Sequence, residues 1–371
     1  MANKQIVIVG PYEAKGGVSR YVHDLVDSKR FNLKIFDTSY TDKEKITFFS
    51  SSYETVFDSG MGRLVGSFAN LIKKLAIFSS FINDKEIRVV HICGVSYFRF
   101  WENAFYIIFS KIQGKKTFLH YLGAYDIFYQ NSGYFGRRMI ISVMNIIDKI
   151  GMLSKKSINL INNDLKHKEI SYLPSSVDTD IINKFDNSSK SNQVRVIFMG
   201  GYHPIRKGLN DIVDIAPSIV KDNSDIKFFF SGSQTVKELT CDLIQNYPNN
   251  FEFIGWIPED NKFSLLKSMD IFILPSSNEG LPYAIVEAMA CGLVILAYDV
   301  GGISEIVEEG DNGFITSIGN KRSFGEILAK ISKDRRKISQ MSILNCKKAE
   351  SELSLGNTLN KIEEIYSNLY E

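Results

Sequence analysis

Residues 271–292 hold two carboxylates, Glu279 and Glu287, on either side of an expected helix start. The apolar segment 271–274 reads as a strand ending at Pro275. A polar loop then carries Glu279, and Pro282 falls near the first helical position, where a missing N–H does no harm. Glu287 is then expected in the second turn of that helix. Between the carboxylates the helix N-terminus offers free N–H groups and the positive end of a dipole, which suit a phosphate or diphosphate. Glu279 and Glu287 would repel that anion, so their natural partners are hydroxyl groups, which donate to acceptor-only oxygens. Upstream, Arg206-Lys207-Gly208 follows another apolar segment and adds positive charge. A fixed Lys, Arg and helix N-terminus can together hold such an anion.

These residues need a scaffold. Short runs rich in Val, Ile and Phe recur at 5–9, 33–36, 88–93, 117–120 and 158–161, and again at 194–199, 226–231, 251–254, 271–274 and 294–297. Longer segments with helical spacing separate them. Near-continuous apolar strands alternating with helices imply a parallel sheet covered on both faces, and the series appears twice. The fold class is therefore α/β, with two doubly wound, Rossmann-like domains expected to face one cleft, because ligands of such sheets sit beyond the carboxyl ends of the strands. The boundary is placed in segment 174–178, before the polar stretch 183–192. This gives a first domain over 1–177, a second over 178–354, and a helix over 355–371 that is expected to pack back on a domain.

The spacing Glu279 through Glu287, continued by Val300-Gly301-Gly302 and Glu305-Ile306-Val307, resembles the retaining glycosyltransferases of family 4, called group 1, which have the GT-B fold. Gly200, Arg206-Lys207-Gly208, Ser231-Gly232-Ser233 and Phe253-Ile254-Gly255-Trp256-Ile257 extend the resemblance through most of the second half. Gly16-Gly17-Val18 and Val89-Val90-His91 carry it more loosely into the first. The resemblance implies that Glu287 binds the nucleotide ribose and that Glu279 lies against the donor sugar in a catalytic position. It also implies that Arg206 and Lys207 neutralise the diphosphate, that Gly280 and Leu281 belong to the donor site, and that Gly17 lets backbone approach the phosphates. The reaction implied is retaining, metal-independent transfer from a UDP- or GDP-linked sugar to the hydroxyl of a saccharide or lipid-linked acceptor. Its setting would be cell-surface polysaccharide or glycolipid synthesis, with no cofactor. A non-catalytic nucleotide-sugar-binding protein and a nucleotide-sugar epimerase are the alternatives.

Three departures stand out. The family histidine of the first half aligns either with Leu122 or with His120 in Leu119-His120-Tyr121-Leu122-Gly123. His120 is thus a candidate catalytic residue or a strand-end histidine with a structural hydrogen bond. Gly201 stands where an Arg is common, which leaves Lys207 and Arg206 more of the diphosphate charge. Ser175-Ser176 replaces the usual Asn-Gly after the boundary proline.

Composition narrows the classes. The chain has 371 residues, 44% of them hydrophobic and 23% charged, which excludes disorder and collagen-like structure. The longest stretch without Asp, Glu, Lys or Arg is 288–298, too short to cross a bilayer. The N-terminus reads as a strand rather than a signal peptide, so a cytoplasmic location is expected. Cys93, Cys241, Cys291 and Cys346 are too scattered for a disulfide framework or a zinc site. No Gly-x-Gly-x-x-Gly or phosphate-loop Gly-Lys-Ser/Thr pattern occurs. Residues 1–180 carry 24 basic and 17 acidic side chains against 20 and 25 in the remainder. The basic half suits an anionic partner such as a membrane surface, and nucleic acid is not expected. The stretch 64–82, with Leu71, Ile72, Leu75, Phe78, Phe81 and Ile82 beside Lys73 and Lys74, reads as a sheet-covering helix or as one lying on an anionic membrane.

Overall fold

The computed structural model describes residues 5–14, 16–39, 61–162, 164–165, 168–185 and 193–371, with the side chains of 61–70 outside that description. The chain divides into two compact units. Unit 1 comprises Met1–Met152, Ser157–Leu173 and Lys361–Glu371; unit 2 comprises Leu153–Lys156 and Pro174–Asn360.

Unit 1 runs β1 (Gln5–Gly10), α1 (Gly17–Asp27), β2 (Leu33–Asp37), α2 (Met61–Ile82), β3 (Ile87–Gly94), α3 (Phe98–Ile112), β4 (Lys116–Tyr121), α4 (Tyr125–Asn131), α5 (Tyr134–Ile146), β5 (Lys149–Met152), most of α6 (Lys155–Asn162) and β6 (Ile170–Tyr172). Its strands lie in the order β2-β1-β3-β4-β5-β6, all parallel. Val7, Val9, Val90, Ile92, Leu119 and Tyr121 pack against helix residues such as Phe78, Tyr106 and Met144. On α2, Leu75, Phe78 and Ile82 are buried in this core. Much of the apolar stripe of segment 64–82 is therefore used to cover the sheet.

Unit 2 runs α7 (Thr179–Asn183), β7 (Val194–Gly201), α8 (Leu209–Asp222), β8 (Ile226–Gly232), α9 (Gln234–Asn246), β9 (Phe251–Gly255), α10 (Glu259–Lys267), β10 (Ile271–Leu274), α11 (Tyr283–Ala290), β11 (Val294–Tyr298), α12 (Ile303–Ile306), β12 (Gly313–Thr316), α13 (Lys321–Ile331), α14 (Arg335–Glu352) and the start of α15 (Leu355–Tyr370). The strand order β12-β11-β10-β7-β8-β9 is again parallel throughout. Strand β10 is buried at every position, as expected of a central strand with helices on both faces. Asp178 accepts from the N–H groups of Asp180 and Ile181, so it caps α7 and satisfies two of its orphan donors.

One expected strand is a helix. Residues 158–161 lie within α6, where Ser157 and Ile161, one turn apart, are the buried positions. The strand of this region is β5, four residues long and containing Gly151. A Cβ on Gly151 would stand 2.6 Å from Leu173 Cδ1, so the glycine admits a close neighbour at the cost of a strand-like appearance.

Candidate functional site

In unit 2 the chain leaves β7 in one direction, toward β8 and β9, and later returns to the other side of β7 as β10. This reversal is a topological switch point, where the loops after the two strands diverge and open a crevice at the carboxyl edge of the sheet. Residues 202–208 follow β7 and residues 275–282 follow β10. These loops carry Arg206, Lys207, Glu279, Gly280 and Leu281, so the topology brings together residues more than seventy positions apart in sequence.

The two loops are locked to each other. Gly208 has φ +85°, and a Cβ there would lie 2.0 Å from the Pro275 carbonyl oxygen, so only glycine allows this approach. The Arg206 carbonyl accepts from Ser277 N at 3.1 Å and from the hydroxyls of Ser276 and Ser277 at 3.2 and 3.3 Å. In return the Arg206 guanidinium donates to Asn278 O at 3.3 Å. Lys207 Nζ donates to Met199 O at 3.3 Å, which holds it over the end of β7. Burial holds the Lys207 ammonium below the usual lysine range; Glu279 and Glu287 oppose that shift, and Arg206 adds to it. The pKa of His203, in the same loop, is lowered by partial burial and by Arg206 and Lys207, with Glu279 acting against them. Sequence reasoning passed over His203, whose only signal was its place in the loop that carries the basic pair.

Glu279 lies in the loop, where its Oε1, 3.0 Å from Ser276 Oγ, shares that single hydroxyl proton with the Arg206 carbonyl. The backbone behind it is fixed by Gly301, at φ +57°, where a Cβ would stand 2.1 Å from Gly280 O and 2.3 Å from Glu279 O. Gly302 N donates to Gly280 O at 2.7 Å, and Ser175 Oγ donates to Leu281 O at 2.6 Å. In a trans peptide the N–H points opposite the preceding C=O. The N–H groups of Gly280 and Leu281 are thereby turned away from Gly301 and Gly302.

Glu287 has a different environment. It is 4% exposed, in the second turn of α11, and its Oε1 accepts from Lys262 Nζ at 2.6 Å. Lys262, on α10, is itself 6% exposed and also reaches Glu259 Oε2 at 2.6 Å. Sequence reasoning missed Lys262 as well. Its spacing to Glu259 marks a helix surface, and nothing local reveals its partner twenty-five residues on.

Gly17 and His120 belong to unit 1. Gly17 opens α1 directly after Gly16, whose φ is +147°, in the loop that follows β1. Strands β2 and β3 flank β1, so this loop stands at the switch point of the first sheet. His120 is buried on β4, with Nε2 3.0 Å from Leu173 O, and its Nδ1 has no hydrogen-bond partner among the described residues. Burial pulls its pKa down to about 4, so at neutral pH its ring is uncharged. Tyr21 packs edge-on against it, and His91 lies nearby with Nδ1 2.6 Å from Tyr366 Oη of α15. The end of the chain is thus tied into the core of unit 1.

Residues 180–348 match the sequence profile of the glycosyl transferases group 1. An uncharacterized glycosyltransferase of Methanocaldococcus jannaschii is 24% identical over 323 residues, covering 85% of this chain and 84% of that protein. The UDP-Gal:alpha-D-GlcNAc-diphosphoundecaprenol alpha-1,3-galactosyltransferase of Escherichia coli is 27% identical over 216 residues, covering 53% of this chain and 54% of that protein. Among solved structures, Anabaena HepE in complex with UDP-glucose superposes with a TM-score of 0.73 at 16% identity, covering 98% of this chain and 99% of that one. Residues 180–348 thus carry the sequence pattern of the glycosyl transferases group 1, and the chain is similar over most of its length to a protein named as a glycosyltransferase.

Proposed function

We propose that this chain is a retaining glycosyltransferase of family 4 that moves a sugar from a UDP- or GDP-linked donor to a hydroxyl of a saccharide or lipid-linked acceptor. It does so without a metal ion, at the inner face of the cell membrane, in cell-surface polysaccharide or glycolipid synthesis. The observation that carries this reading is the switch point of unit 2, where Arg206 and Lys207 after β7 meet Glu279 and the start of α11 after β10. The diphosphate is held by Lys207, Arg206 and the N–H groups of Gly280 and Leu281, which are fixed before the reaction and need not reorganise as charge develops on the leaving group. Glu279 accepts hydrogen bonds from the donor sugar, and Glu287 accepts them from the ribose hydroxyls as it shares its carboxylate with Lys262. A UDP donor and a lipid-linked acceptor are supported by the names of the Escherichia coli relative and of the HepE complex.

The test is incubation of the purified chain with UDP- and GDP-sugars and with lipid-linked saccharide acceptors, with NMR of the product's anomeric centre. Transfer with the donor's anomeric configuration kept, and loss of transfer in Glu279→Ala and Lys207→Ala, is the expected result. Inversion would remove the retaining assignment. Donor binding without transfer to any acceptor fraction would favour the binding-protein alternative, and a changed sugar without an acceptor would favour the epimerase.

A further inference from the structure

We propose that the outward face of helices α3 and α5, with the exposed edge of α2, docks on an anionic lipid bilayer. Helix α3 packs against both α2 and α5, so the three form one layer over the sheet of unit 1. Their inward residues, such as Phe78, Tyr106 and Met144, fill the core. Their outward residues are unusually apolar. Phe135 is 80% exposed and Tyr134 67%, with Met139 beside them on α5, while Phe105, Ile108 and Ile112 form an exposed stripe along α3. Scattered surface apolar residues are ordinary, but a run of them on adjacent helices marks a surface that meets something apolar.

Charge identifies the occupant. Helices α2, α3 and α5 contain a single acidic residue, Glu102, and it is buried, accepting from Tyr106 Oη at 2.9 Å. Lys73, Arg137 and Arg138 are exposed. Arg137 donates to the carbonyls of Tyr129 and Gln130, which ties it to the end of α4, and Arg138 donates to Tyr134 Oη at 2.8 Å. A face that is aromatic, aliphatic and basic, with no exposed acid, matches the headgroup layer of an anionic membrane, where Tyr and Phe bury their rings and Arg pairs with phosphate. A second copy of the chain fits less well, because a two-fold contact would set this basic face against itself. Among the described residues no helix is long and apolar enough to cross a membrane, so the contact is peripheral.

The inference rests on the membrane-side part of the proposed function. It is measured without glycosyl transfer, so either can fail alone. The experiment is co-sedimentation of the full chain with phosphatidylcholine vesicles containing 0 or about 30% phosphatidylglycerol, in low and high salt. Binding is expected to the anionic vesicles and to fall with salt. The variant Lys73→Gln/Arg138→Gln should weaken it roughly 30-fold, at about fivefold per charge. Tyr134→Ser/Phe135→Ser should abolish it with an unchanged circular dichroism spectrum and melting temperature. Absence of binding at low salt, or binding that neither variant alters, overturns the proposal. So does a dimer, seen by light scattering, that Tyr134→Ser/Phe135→Ser converts to monomer.

Discussion

Replacing Lys262 by Met should destabilise unit 2 strongly, and the structure sets the scale. Lys262 Nζ and Glu287 Oε1 are 2.6 Å apart, and both side chains are almost wholly out of water. The methionine fills a similar volume, so little of the loss comes from packing. What remains is a buried carboxylate without its cation, and removing one partner of such a pair costs about 3–5 kcal/mol. Against a typical stability of about 5–15 kcal/mol this is a large fraction. Replacing both, as Lys262→Met/Glu287→Met, removes the stranded charge and should recover most of the loss, since buried ion pairs are often replaceable by apolar residues of similar volume. The assay is urea unfolding followed by fluorescence in a Trp101→Phe background, which leaves Trp256 of unit 2 as the sole tryptophan. With a urea slope of about 2–3 kcal/mol/M, the single variant should shift the midpoint by about 1–2.5 M. A shift equivalent to under about 1 kcal/mol, or a double variant no more stable than the single, would refute the claim that Lys262 compensates Glu287.

Other consequences concern the glycine contact and the histidine core. Gly301→Ala places a Cβ against the carbonyls of Gly280 and Glu279 at a left-handed φ, and should cost roughly 1–3 kcal/mol and weaken nucleotide binding; unchanged melting and affinity would show that this contact does not set the loop. His120 is neutral when folded, with a pKa near 4 against 6.5 for the free side chain, so its stability contribution is complete above pH 6.5 and falls as the unfolded state takes up a proton. The loss should reach about 3 kcal/mol by pH 4 and be absent in His120→Phe when the two pH–stability profiles are subtracted; an identical acid slope in both proteins would contradict it. Tyr366→Phe strands His91 Nδ1 and should cost about 1–3 kcal/mol, measured by thermal or urea unfolding. No change there would mean that the end of the chain contributes little to unit 1.

Much of the candidate site in unit 2 was legible because its signals are local. Pro282, the apolar strand before Glu279 and the basic pair after β7 each read correctly from neighbours a few residues away. The switch point that joins them depends on strand order, which no local pattern records. Lys262 escaped notice because burial, rather than spacing, makes it a partner of Glu287. Strand β5 was misplaced because its four residues include Gly151, whereas the four-residue run at 158–161 has the apolar content of a strand and belongs to α6. The role of His120 could not be decided from its apolar surroundings, since both a site-facing and a core-facing histidine fit the end of a strand. Likewise the apolar residues of α2 fitted a sheet-covering helix, the reading preferred, or one lying on a membrane until Leu75, Phe78 and Ile82 were found in the core. The exposed aromatics of α5 gave no comparable periodic signal, because Ile140 and Met144 of the same helix face inward.

The central claim is that the switch point of unit 2 holds the diphosphate of a nucleotide sugar, and calorimetric titration of UDP and GDP into the wild-type chain and Lys207→Met tests it most directly. One of the two nucleotides should bind the wild-type chain, and loss of the charge-assisted contact should weaken that binding by about 10- to 150-fold while the protein stays folded. Equal affinity in the folded variant, or no binding of either nucleotide to the wild type, would contradict the account.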